Sequence, residues 1–71
     1  MKAMTVTGEA GGGLVKAVST LKGELTSLDI DPSIFSGEDK EVVEDLILAA
    51  IKEAQAKANA SAQEQMQKLT E

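Results

Sequence analysis

Hydrophobic and polar positions change rhythm once along this chain, at Pro32. Ahead of it the apolar residues come in short stretches broken by glycine. Met4-Thr5-Val6-Thr7 is rich in β-branched residues and predicts a short strand. Gly8-Glu9-Ala10-Gly11-Gly12-Gly13 then reads as a loop, because glycine takes positive φ without steric penalty. Leu14 to Leu21 predicts a second strand, Lys22-Gly23-Glu24 a turn, and Leu25 to Asp31 a third strand. In the third strand Leu28 and Ile30 share one face with Thr26, while Ser27, Asp29 and Asp31 share the other. Connections this short join antiparallel neighbours, so the sheet is expected to be a meander over residues 4–31.

Pro32 has no N–H to give a ladder and closes the sheet. A single turn, Ser33-Ile34-Phe35, is expected to plug the end of the core. From there the period becomes helical, over residues 38–69, with Ser36 or Asp39 as the N-cap and acids crowding the first turns, where the helix dipole favours them. Val43, Leu46, Ile47, Ala50, Ile51 and Ala54 fall on one stripe. A helix over 39–69 would reach ~46 Å, against ~20 Å for a six-residue strand. It should overhang its own sheet by about half its length, with Met66 and Leu69 near the free end. The expected fold is therefore α+β: a three-stranded antiparallel meander followed by one long C-terminal helix, in a single domain over 1–71.

Composition adds a demand for a partner. The chain has 71 residues and no cysteine or histidine, so disulfides and the usual zinc sites are out of reach as staples for a small core. One helix covers one face of a sheet, and a symmetric homodimer through the sheet is the expected cover. Val15, Leu28, Ile30, Val43, Ile47 and Ile51 are the expected core and dimer residues. The longest apolar run, Leu46 to Ile51, is far short of the ~20 residues that span a bilayer. Met1-Lys2-Ala3-Met4 is too short for a signal peptide, so a cytoplasmic location is expected.

The same absences weigh against catalysis. The serines have no histidine or cysteine to activate them, and Glu44 and Asp45 point to different sides of a helix. The glycine run leads into a strand and lacks a phosphate-loop pattern, and Asp29-Ile30-Asp31 lacks the glycine and glutamate of a calcium loop. No enzyme activity, cofactor, metal or small-molecule substrate is expected. The formal charge of −5, with no arginine, opposes nucleic-acid binding by the whole surface but leaves room for a local strip. Lys52, Lys57 and Lys68 on the helix are the lysines available for phosphate contact. Lys57 and Lys68 lie within about 20° of one azimuth, and Lys52 lies well round from them.

Several motifs, in order, resemble the YbaB/EbfC family of bacterial nucleoid-associated proteins. They are Val6-Thr7-Gly8-Glu9-Ala10-Gly11-Gly12-Gly13-Leu14-Val15-Lys16, Lys22-Gly23-Glu24, Ile30-Asp31-Pro32-Ser33 and Glu44-Asp45-Leu46-Ile47. Gln63-Glu64-Gln65-Met66-Gln67-Lys68-Leu69-Thr70 resembles the end of the family's last helix. The resemblance implies a homodimer that projects its helices, binds double-stranded DNA through them, and resides in the nucleoid. Family members usually begin with a Met/Gln/Lys-rich helix and often end in a Pro-Gly tail, so this chain reads as a core trimmed at both ends. Weak DNA binding alone, strengthened by that first helix, is the expectation. Asp29 stands where the family often has a basic residue, and Leu21 where a glycine is usual. The alternative is a dimeric protein-interaction or adaptor module that holds another helix without touching DNA.

Overall fold

The structure, a computed structural model, describes residues 4–37 and 39–69, with side chains up to Met66 in the last helix. Three strands, β1 (Thr5–Ala10), β2 (Val15–Thr20) and β3 (Leu25–Ile30), form an antiparallel sheet in the order β1-β2-β3. A 3-10 turn (Pro32–Phe35) and one helix, α1 (Lys40–Leu69), follow. This is the expected α+β meander and helix, with differences that decide which surfaces are free.

The first strand runs on through Gly8, Glu9 and Ala10, where glycine content suggested a loop. Within that stretch Gly11, Gly12 and Gly13, but not Gly8, take positive φ, at 65°, 70° and 95°, and they make the turn. Gly8 has a different task. A Cβ built on it would overlap the backbone of Ala50 and Ala54, so the missing side chain is what lets α1 lie against β1. The residues buried beneath the helix are accordingly small: Ala17 on the sheet, and Ala50, Ala54 and Ala58 on α1. Val15 and Ile34 are the largest apolar side chains fully buried.

The second turn is held by Thr20, whose Oγ1 accepts from the backbone N–H groups of Lys22 (3.2 Å) and Glu24 (3.3 Å). On β3 the register places Ile30 opposite Val15, Leu28 opposite Ala17 and Leu25 opposite Ser19. Val15, Ala17 and Ser19 are the buried, helix-facing positions of β2. A bulge between Val18 and Ser19 on β2 and Leu25 and Ser27 on β3 leaves Thr26 as the extra residue. Leu25, rather than Thr26, therefore joins Leu28 and Ile30 on the helix side.

Ser36 does not cap the long helix. Its N–H donates to the Ser33 carbonyl (3.2 Å) and closes the 3-10 turn. The Asp39 carbonyl accepts the first helical bond, from Val43 N–H (3.1 Å), so α1 begins at Lys40. Ile34, 2% exposed, plugs the core as expected, whereas Phe35 points to solvent. The expected start at Glu38 lies outside the described residues.

Candidate nucleic-acid interface

α1 lies along β1 and β2 and hardly touches β3. Its two flanks are identified by their contacts. Leu46 touches the Gly11 turn, and Glu53 and Lys57 reach β1. On the other flank the Gln55 amide donates to the Gly23 carbonyl in the β2–β3 turn (3.2 Å). Helical spacing puts Ile47 and Ile51 on that second flank. On the side towards β3 the half-buried Ile30, Ile47 and Ile51 pack against the core, and Leu28 on β3 is 43% exposed, which makes an apolar strip. Val43 is half-buried against the same cluster, and Val15 is fully buried.

The far face of the sheet needs no cover. Alternation places Thr5, Thr7, Glu9, Lys16, Val18, Thr20, Ser27 and Asp29 there, a polar set with one half-buried valine. The sequence asked for cover over a whole sheet face. The structure instead leaves bare a strip on the helix side, because α1 sits off-centre over Gly8 and Ala17 rather than over the middle of the sheet.

The helix carries a graded charge. Residues 38–45 hold five acids against Lys40 alone, whereas over 52–69 Lys52, Lys57 and Lys68 stand against Glu53 and Glu64. Lys52 is exposed and lies about 200° from the buried Ala50, which turns it away from the sheet. Lys57 is differently placed: its Nζ donates to the Thr7 carbonyl at 2.9 Å and sits 3.9 Å from a Glu53 carboxylate oxygen. The side chain of Lys68, like that of Leu69, lies outside the described residues. Lys52 and Lys57 are thus not brought together, in keeping with their spacing on the helix. Among the described side chains the last buried one on the helix is Ala58, so the helix from residue 59 on runs past the sheet, about 16 Å to residue 69. That is nearer a third of α1 than the half its length suggested.

No group of three or more acidic residues that could hold a metal ion is present among the described residues. No helix among them is long and apolar enough to cross a membrane. Asp31 follows β3 and opens the 3-10 turn. Its carboxylate accepts from Ser33, chiefly from the backbone N–H at 2.9 Å, and is held below its ordinary value.

Comparison with known proteins places this arrangement. A nucleoid-associated protein of Agrobacterium fabrum, Atu0095, is 50% identical over 68 residues, covering 96% of this chain and 64% of the relative. A nucleoid-associated protein of Beijerinckia indica is 44% identical over 70 residues, covering 99% of this chain and 69% of the relative. The chain thus spans about two thirds of the length of these curated relatives. The crystal structure of an uncharacterized protein from Helicobacter pylori, HP0035, superposes with a TM-score of 0.81 over 96% of this chain and 71% of its own. At 24% identity that likeness speaks for the fold. The sequence model of the YbaB/EbfC DNA-binding family matches residues 1–71, and the chain belongs to that family.

Proposed function

We propose that this chain is the dimerisation core of a nucleoid-associated protein, and that it contacts the backbone of double-stranded DNA through the second half of α1. The observation that carries this reading is the family match over the full 71 residues, taken with the charge gradient along the helix. The acidic first turns of α1 repel phosphate, and the free end, running past the sheet, is where a duplex can approach. Lys52 and Lys68 are the phosphate contacts in this reading. Lys57 joins them only by leaving the Thr7 carbonyl.

The partner is a second copy docked at β3. With Ile34 and Val15 as its largest fully buried apolar side chains, the core is thin for a domain of this size. Asp31 N–H donates to the Leu14 carbonyl at 2.8 Å, which fixes the alternation along the β2–β3 ladder. By that alternation Leu28 and Ile30 turn their backbone groups out to the open edge, beside the apolar strip. Two copies related by a two-fold axis could pair these edges and bury both strips.

Each phosphate contact contributes about −0.9 to the slope of log K against log salt concentration. Two lysines per protomer therefore predict a slope of about −4 for the dimer. A dimer of charge near −10, twice the chain's −5, makes binding weak at physiological salt. Fluorescence anisotropy with a labelled duplex tests this: binding that appears at low salt and falls steeply as salt rises supports it. No binding even at about 20 mM salt, with a peptide helix bound instead, would favour the adaptor reading. Extension by a basic N-terminal helix of the kind found in the family is expected to raise the affinity.

A further inference from the structure

The two edges of the sheet are treated differently. At β1 the outward backbone groups do not face open solvent. Glu9 N–H donates to a Glu53 carboxylate oxygen at 2.7 Å, and the Thr7 carbonyl accepts from Lys57 Nζ at 2.9 Å. Glu53 and Lys57 stand one helical turn apart, and Thr7 and Glu9 stand two residues apart on a strand that α1 follows closely over Gly8. One turn of helix rises about 5.4 Å and two strand residues about 6.7 Å, so the two side chains meet the two edge groups in register. The acceptor meets the donor and the donor meets the acceptor. At β3 no helical side chain among the described residues plays this part.

We propose that Glu53 and Lys57 form a latch that closes the β1 edge against a further strand and confines sheet extension to β3. An unpaired edge strand is a template for another chain, and proteins blunt such edges with charged side chains. Here the charges come from the helix and occupy the same backbone groups that an incoming strand would need. A strand adding to β1 must first break both bonds and push two long side chains aside. The closure of β1 does not depend on the second copy at β3 described above. If that copy is present, however, both outer edges of the joined sheet are β1 edges, and the latch ends the assembly at two.

Amide hydrogen exchange on the wild-type chain tests the latch directly. Glu9 N–H and Thr7 N–H both point out from the β1 edge, but only the first has an acceptor among the described residues. Glu9 is expected to exchange roughly tenfold or more slowly than Thr7, beyond their intrinsic difference. Equal protection of the two amides would overturn the proposal. The variants extend the test. Glu53→Ala with Lys57→Ala is expected to bring Glu9 to the Thr7 rate and to make the light-scattering mass climb with concentration above that of wild type. Glu53→Gln keeps an acceptor and should keep wild-type mass. The swap Glu53→Lys with Lys57→Glu preserves the ion pair but faces donor to donor and acceptor to acceptor, so it should behave as the double alanine variant. A swap that retains wild-type mass and Glu9 protection would show that the ion pair, not closure of the edge, matters.

Discussion

Replacing Gly8 by alanine adds one methyl group at the closest approach between helix and sheet. The backbone is not the obstacle, since Gly8 is absent from the glycines with positive φ. On an open strand the change would stabilise the fold by about 0.4–1 kcal/mol, through a less flexible unfolded chain. Here the new Cβ would come within 2.8 Å of the Ala54 Cα and closer still to the Ala50 carbonyl and Ala54 nitrogen. Ordinary carbon contacts begin near ~3.5 Å, so α1 must retreat by roughly 1 Å. The obstructing atoms are backbone and cannot rotate away. Retreat also loosens Ala50, Ala54 and Ala58, whose small side chains reach the sheet only because the helix lies so low. Overpacking of this kind costs about 1–3 kcal/mol, and backbone contact points to the upper end. A chain of 71 residues has about 4–11 kcal/mol in hand, and each kcal/mol moves the midpoint by about 4–8 °C. A fall of roughly 10–20 °C is expected in far-UV circular dichroism melts at fixed protein concentration. A midpoint equal to or above wild type would refute the close-approach argument, because the two accounts of Gly8 differ in sign.

Other substitutions test other parts of the structure. Ile34→Ala empties the plug of the core and should cost about 2–5 kcal/mol, read as a lower urea midpoint with an unchanged slope; a loss under about 1 kcal/mol would mean the plug is dispensable. Leu28→Asp changes a residue already 43% exposed, so the secondary structure should survive while light scattering shows protomer mass where wild type shows a dimer; an unchanged dimer would exclude the β3 edge as the contact. Asp31 has a lowered folded pKa, so its contribution is complete above the ordinary carboxyl value and is lost as pH falls through the folded one. Asp31→Asn keeps an acceptor for Ser33 N–H without the titration, so the stability gap between the two proteins should shrink below about pH 4; a gap constant from neutral to strongly acid pH would contradict the assignment.

The order of strands, the closing role of Pro32 and the single long helix were all legible from hydrophobic spacing and turn residues. The lateral position of the helix was not. Periodicity put Ala50 and Ala54 on one stripe with bulky Val43, Leu46, Ile47 and Ile51 without ranking them, yet among the described side chains those wholly buried on α1 are Ala50, Ala54 and Ala58, because a glycine on the strand admits only small partners. That pairing is a tertiary match between residues more than forty positions apart, and one sequence carries no trace of it. The bulge at Thr26 was hidden for a related reason: unbroken alternation is assumed unless a residue forbids it, and threonine forbids nothing. For the candidate DNA contacts, spacing separated Lys52 from Lys57 correctly. It could not foresee that a strand carbonyl would take up the Lys57 amine.

The account stands most directly on where a duplex touches the molecule. A titration of the isotope-labelled chain with a short duplex at low salt, followed by amide shifts, reads this residue by residue. The predicted result is that shifts gather around Lys52 and over 59–69, leave 41–45 unmoved, and vanish as salt is raised. Shifts gathered on the polar sheet face around Lys16 and Thr20, or none at any salt, would contradict it.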